Sequence, residues 1–139
     1  MPANEVFVDT TALLAIVNRA DYLHSAASKV HRQLSATGTP LVTTEWVLAE
    51  FLGGASRPPL RANAANIVTA LRSSSRMTVI EATHVDWQRA FAFFVQHADK
   101  AWSFIDSSSM LVCRDRGIRQ VFTYDHHFRQ FGLEVLLRR

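Results

Sequence analysis

The sequence predicts an α/β fold in three layers (α/β/α), a parallel sheet of four or five strands covered by helices on both faces. Two observations lead there. Short runs rich in Val, Ile, Phe and Thr alternate along the chain with longer segments of helical character. Strands kept apart by helices are joined by crossovers, which makes them parallel. The second observation is size: 139 residues, 48% of them hydrophobic, can bury a core large enough for a sheet covered twice. The chain reads as a single domain, residues 1–139, of 15.6 kDa.

The first strand is residues 5–8, Glu5-Val6-Phe7-Val8, followed by helices over about 11–19 and 22–36. A second strand, Leu41-Val42-Thr43, leads into helices over about 45–52 and 60–73. Between those two helices lies Gly53-Gly54-Ala55-Ser56-Arg57-Pro58-Pro59, a connection with Pro58 or Pro59 expected in the first turn of the second helix. The third strand is Met77-Thr78-Val79-Ile80, and a helix over 85–97 follows the capping-box spacing Thr83-x-x-Asp86. Ser103-x-x-Asp106 has the same spacing and opens a helix over about 104–116, which Gly117 ends as a left-handed glycine does. Gln120-Val121-Phe122-Thr123 is the fourth strand, residues 126–130 form a short helical turn, and 133–136 close as a short edge strand.

Composition excludes several classes of function. The apolar run from Ala12 to Val17 is too short to span a bilayer, and Asp9 and Arg19 flank it, so neither a membrane role nor a signal peptide is expected. The lone cysteine, Cys113, excludes an intrachain disulfide framework and any multi-cysteine metal site, and reads as a small buried hydrophobe; a reducing cytoplasm is the expected compartment. Fifteen basic residues, thirteen of them arginine, stand against twelve acidic ones, a net +3 that is compatible with nucleic acid. No glycine-rich turn follows the first strand, against a dinucleotide site, and Thr11 stands where a haloacid-dehalogenase phosphatase needs a second aspartate.

Ligands of open parallel sheets bind beyond the carboxyl ends of the strands, where strand order reverses. Asp9 directly follows the first strand and Asp125 comes two residues after the fourth; helix N-capping is the competing reading for each. Glu50 falls on a helix that is apolar nearly all round, which demands a salt bridge or a metal, whereas Glu45 is a first-turn acid favoured by the helix dipole. Asp106 shares a helix sector with Met110 and Cys113, and competes with its own capping-box role. Converging on one crevice, these four carboxylates form a hard-oxygen cluster suited to Mg²⁺ or Mn²⁺.

The segments that carry these acids resemble the PIN-domain ribonucleases, in particular the VapC-type toxins of toxin–antitoxin pairs. They are Val6-Phe7-Val8-Asp9-Thr10-Thr11-Ala12-Leu13, Val42-Thr43-Thr44-Glu45-Trp46-Val47-Leu48-Ala49-Glu50, Trp102-Ser103-Phe104-Ile105-Asp106 and Phe122-Thr123-Tyr124-Asp125-His126-His127-Phe128, in family order and across essentially the whole chain. By that resemblance the catalytic and metal-binding set is Asp9, Glu50, Asp106 and Asp125, with supporting polar groups at Thr11, Ser103 and Thr123. Asp9, Asp106 and Glu50 are implied to hold the principal ion, and Asp125 to bind directly, through water, or at a second ion.

The implied activity is a Mg²⁺- or Mn²⁺-dependent endoribonuclease that uses a metal-activated water and leaves a 5′-phosphate and a 3′-hydroxyl. The implied partners are an RNA substrate such as transfer or ribosomal RNA, a small VapB-like antitoxin that silences the enzyme, and a second copy in a homodimer. The alternative is a scaffold of the same fold that binds RNA or protein without cutting. With four acids sequestered, eight acids and fifteen bases remain outside the site, a surface of +7 suited to a phosphate backbone. Arg57, Arg61, Arg114, Arg116, Arg119 and Arg129 are the candidate contacts. His126 and His127 read as structural or surface residues, since neighbours on a helix diverge by about 100° and no third nitrogen is spaced to join them. Trp87, Phe91, Phe93 and Phe94 read as core or dimer contacts.

Overall fold

A computed structural model describes residues 4–138; residues 1–3 and 139 of the predicted domain lie outside the described residues. The elements are β1 (Val6–Val8), α1 (Thr10–Val17), α2 (His24–Ala36), β2 (Leu41–Thr44), α3 (Glu45–Gly54), α4 (Leu60–Ser73), β3 (Met77–Ile80), α5 (His84–Gln96), α6 (Phe104–Arg116), β4 (Gln120–Phe122), α7 (His127–Gln130) and β5 (Glu134–Val135). The five strands make one sheet in the order β3-β2-β1-β4-β5, and every pair is parallel. β1 and β2 are buried along their whole length, as strands covered on both faces must be. α1 packs against α2, α3 and α4, α6 packs against α5 and α7, and α3 touches both groups.

The departures from the predicted boundaries have local causes. α1 stops at Val17 because the Asn18 side chain accepts the Ala20 N–H (3.0 Å) and Asp21 accepts the Leu23 N–H (2.8 Å), turns that compete with helix and delay α2 to His24. Pro59 caps α4 from outside instead of sitting in its first turn. α3 runs on through Gly53 and Gly54, and there the missing side chain matters: a Cβ at Gly54 would stand 3.1 Å from the Leu14 Cδ2, so glycine lets α3 lie close on α1.

Phe7, Val42 and Val121 fill the middle of the sheet, with Phe51, Met110 and Phe128 closing over it from α3, α6 and α7. Each aromatic there supports the fold by about 3–5 kcal/mol against truncation to alanine. α6 carries Ser107, Ser108 and Ser109 into this core; Ser107 and Ser108 donate their hydroxyls to the Ser103 and Ile105 carbonyls (2.9 and 2.8 Å), which satisfies them inside the helix. Arg116 at the far end of α6 is not an open phosphate contact, because it grips Glu5 through two bonds of 3.0 and 2.8 Å. That pair ties α6 to the start of β1.

Candidate active site

The strand order reverses between β1 and β4. From β1 the chain steps outward through β2 and β3, then returns by α5 and α6 to β4 on the other side. In open parallel sheets the ligand side lies beyond the carboxyl ends of the strands at such a reversal. β1 delivers Asp9 to it, and the Asp9 N–H donates to the Phe122 carbonyl across the pair (3.1 Å). β4 delivers Thr123 and Asp125, α3 delivers Glu50, and the first turn of α6 delivers Asp106.

Asp9 occupies the N-cap position of α1, yet its side chain makes no capping bond. Its carboxylate instead accepts the Thr123 hydroxyl at 2.7 Å, almost wholly buried. Thr123 has one hydroxyl proton, and with Asp9 ionised that proton is spent on the carboxylate. Thr11, 2.7 Å from the Thr123 oxygen, is then the donor to it, while Thr11 itself accepts the Tyr124 N–H (3.1 Å). A one-way relay of hydrogen bonds thus runs from the β4 backbone through Thr11 and Thr123 into Asp9. The Asp125 N–H also donates to the Thr123 oxygen (3.1 Å).

Asp106 does two things at once. The capping box is real: Ser103 accepts the Asp106 N–H (3.0 Å) and Asp106 accepts the Ser103 N–H (3.2 Å). The oxygen that caps, Oδ2, also lies 3.3 Å from the His127 Nδ1. The sequence predicts a structural or surface role for His127; the structure sets its Nδ1 between Asp106 and the Asp125 Oδ1 (3.2 Å). The signal that could have found it is the spacing Asp125-x-His127. An aspartate that accepts the N–H two residues on, here 2.9 Å, brings that residue's side chain beside its own carboxylate. Trp102, Phe93 and Phe131 pack together beneath, and the Trp102 indole donates to Gln130 of α7 (2.8 Å), fixing the start of α6 against the helix that bears His127.

Glu50 corrects its sequence reading. The helical wheel put it in an apolar setting, but α3 buries Val47, Leu48 and Phe51 and leaves Ala49, Glu50 and Leu52 exposed. Glu50 accepts a hydrogen bond from Thr10, a residue the sequence did not single out. Glu45 belongs elsewhere, paired with Arg72 (3.3 Å) and the Ala82 N–H (2.8 Å).

The electrostatics follow from burial. Burial pushes the Asp9 carboxyl up to about 7, the Thr123 hydrogen bond pulls against it, and the charges of Asp106 and Glu50 add to the rise. Asp106 is also raised, by burial first; the Ser103 N–H opposes that and the Asp125 charge adds to it. Among the described residues no lysine or arginine pairs with any of the four carboxylates. A set of hard oxygen donors, half of them buried and lacking a fixed counter-charge, fits a divalent cation such as Mg²⁺ or Mn²⁺.

Comparison with known proteins agrees with this architecture. The family model described as PIN domain matches residues 6–133. The 23S rRNA-specific endonuclease VapC20 of Mycobacterium tuberculosis, in strains CDC 1551 / Oshkosh and ATCC 25618 / H37Rv, is 30% identical over 128 residues, covering 91% of this chain and 94% of the relative. The crystal structure of M. tuberculosis VapC20, described as a sarcin-ricin loop cleaving toxin, has a TM-score of 0.80 at 28% identity and covers 96% of this chain and 99% of that one.

Proposed function

The chain belongs to the PIN-domain family and is a homologue of the VapC-type ribonuclease toxins, and from that premise we propose a Mg²⁺- or Mn²⁺-dependent endoribonuclease centred on Asp9, Glu50, Asp106 and Asp125. One observation supports this reading above the others: among the described residues, four carboxylates from four separate segments meet at the β1/β4 reversal without a lysine or arginine to neutralise them. A scaffold that only bound RNA or protein gains nothing from such a cluster, which costs folding free energy.

Asp9, Asp106 and Glu50 are the residues that would hold the ion, with Asp125 binding directly, through water, or at a second ion. When bound, the ion supplies Lewis-acid stabilisation of charge on the phosphate and acidifies the attacking water. The chain's own groups do the positioning. The relay through Thr11 and Thr123 keeps Asp9 oriented in its ionised form, Ser103 fixes Asp106 at the start of α6, and Thr10 holds Glu50. His127 steadies Asp106 and Asp125 against their mutual repulsion.

The substrate we propose is ribosomal RNA, the class named for the VapC20 relative, with transfer RNA the nearest alternative. Among the arginines, Arg57, Arg119 and Arg129 are the better phosphate contacts, since Arg116 is committed to Glu5, Arg114 lies over the Phe93 ring and Arg61 bonds the Ser56 carbonyl. A VapB-like antitoxin, a homodimer, a single-domain organisation and a cytoplasmic setting complete the proposal; no helix among the described residues is long and apolar enough to cross a membrane.

The test is to incubate the purified protein with ribosomal RNA in Mn²⁺ or Mg²⁺ and map new 5′ ends. Discrete cuts are expected, abolished by EDTA and by Asp106→Asn. Undiminished cutting in EDTA, or by the variant, overturns the reading.

A further inference from the structure

The carboxylate centre explains Asp125 and the inward side of His127, but not His126. We propose that Asp125, His126 and His127 form a second site, sharing Asp125 with the carboxylate centre, for a borderline transition-metal ion of the Zn²⁺ type, and that filling it shuts off that centre. The three side chains offer one oxygen and two imidazole nitrogens, all within 4.8 Å of one another. The Asp125 Oδ1 lies 3.2 Å from the His127 Nδ1 and 3.9 Å from the His126 Nδ1. Zinc bonds to nitrogen and oxygen run about 2.0–2.1 Å, so tetrahedral donors stand about 3.3 Å apart. The Asp125–His127 spacing therefore matches that edge closely, and the two spacings that involve His126 close with a swing of its ring. His126 is free to make it, since its side chain is 69% exposed. The two rings already lie side by side, tilted by 52° with 4.6 Å between centroids.

The donor set chooses the ion. Mg²⁺ and Mn²⁺ prefer oxygens, whereas two imidazoles and a carboxylate suit Zn²⁺, Ni²⁺ or Cu²⁺, which also bind more tightly at any given nitrogen-bearing site. Three protein donors leave a fourth position for water.

The same atoms explain the inhibition. The His127 Nδ1 lies 3.3 Å from Asp106 and 3.2 Å from Asp125, and one nitrogen cannot both donate a proton to a carboxylate and ligate a metal. An ion at this site takes the His127 nitrogen from Asp106 and engages the Asp125 oxygen, so it withdraws two groups from the adjoining centre. The regulatory part rests on the nuclease reading above; the binding part does not.

His126→Ala separates the two parts. Its side chain is exposed and outside the proposed machinery, so its melting temperature and its Mn²⁺-supported cleavage should equal those of the wild type. Zn²⁺ titrated into metal-free protein, followed by competition with a chromogenic chelator, should bind the wild type at one ion per chain and the variant at least about tenfold more weakly. In cleavage assays with millimolar Mn²⁺, micromolar Zn²⁺ should stop the wild type, and the variant should need at least about tenfold more. Equal Zn²⁺ affinity in the two proteins overturns the site, because the ion then sits among the carboxylates. Binding lost in the variant, with wild-type cleavage indifferent to Zn²⁺, overturns the inhibition. Binding lost in the variant while neither protein cuts RNA with any metal supports the site and overturns the nuclease reading alone.

Discussion

Asp9, a proposed ligand, sits where its charge works against the fold. It is buried, its only side-chain partner of note is a threonine, and its carboxyl is pushed up to about 7 by burial. An unfolded aspartate ionises near 3.9. Between those values the folded chain holds a proton the unfolded chain has lost, so the metal-free protein loses stability as pH rises from about 4 through 7. The loss is on the order of 2–4 kcal/mol once Asp9 is fully charged. In EDTA, the urea midpoint of the wild type should therefore fall between pH 5.5 and 8, while Asp9→Asn, which keeps the bond from Thr123, should be flatter and the more stable at pH 8. Equal slopes for the two proteins would remove Asp9 as the source. Glu50 and Glu45, five residues apart on α3, make the complementary comparison. Glu50 reaches Thr10 at the crevice and Glu45 reaches Arg72 and Ala82 outside it. Because Glu50 is a proposed metal ligand, Glu50→Gln should lower RNA cleavage at least about a hundredfold, the upper end of what losing a group that merely orients a ligand costs. Glu45→Gln should retain most of it; comparable losses in single-turnover rates would contradict the assignment.

At the scale of elements, α6 carries the largest burden, with its start in the site and its end holding the sheet. Its first turn is closed by the Ser103–Asp106 box and its last by Gly117 at φ 69°, where the Ile118 N–H returns to Cys113 (2.9 Å). Asp106 is thus both cap and proposed ligand, and two substitutions divide the roles. Asp106→Asn keeps an acceptor for the Ser103 N–H and removes a charge that burial disfavours, so it should melt no lower than wild type in EDTA, fail to cleave, and gain less from Mn²⁺. Asp106→Ala should also fail to cleave but lose about 1 kcal/mol through the cap. Differential scanning fluorimetry with and without Mn²⁺ reads both; an Asn variant as unstable as the Ala one would make the charge, not the acceptor, the stabilising feature. The sequence carried this element well, because Ser103, Asp106 and Gly117 are local signals that specify local geometry. α4 and β3 were legible on the same grounds. The exposure of Glu50 was not, since a wheel drawn from α3 alone does not know that Val47, Leu48 and Phe51 face its neighbours while Glu50 faces the crevice. His127 was missed because its partner Asp106 lies 21 positions earlier, a contact made only when α6 and α7 pack.

The whole molecule leaves one face unexplained by its own packing. α5 turns Phe93 into the core but leaves Val85, Trp87, Phe91, Phe94 and Val95 between 40% and 63% exposed. Trp87 stacks on Phe91 with ring centroids 5.3 Å apart, and Phe104 joins Trp87, Phe94 and Trp46 into one aromatic surface spanning α3, α5 and α6. Apolar patches this continuous are rare on monomers. The sequence reading offered core or dimer contact for these residues, and Phe93 takes the first role. The others are suited to the second: a two-fold dimer places the same patch on both partners, so aromatic meets aromatic without any matched charges. A stable dimer needs about 800 Å² from each partner, which five large side chains and their surroundings can supply. Light scattering at tens of micromolar should then give twice the 15.6 kDa chain mass. Phe91→Glu introduces like charges facing each other across the two-fold axis, and should shift the mass to that of one chain. Phe91 is nearly half exposed, so the variant should keep the wild-type circular dichroism. A wild type that scatters as a single chain at that concentration would refute the dimer, and an unaltered mass for Phe91→Glu would move the interface off α5.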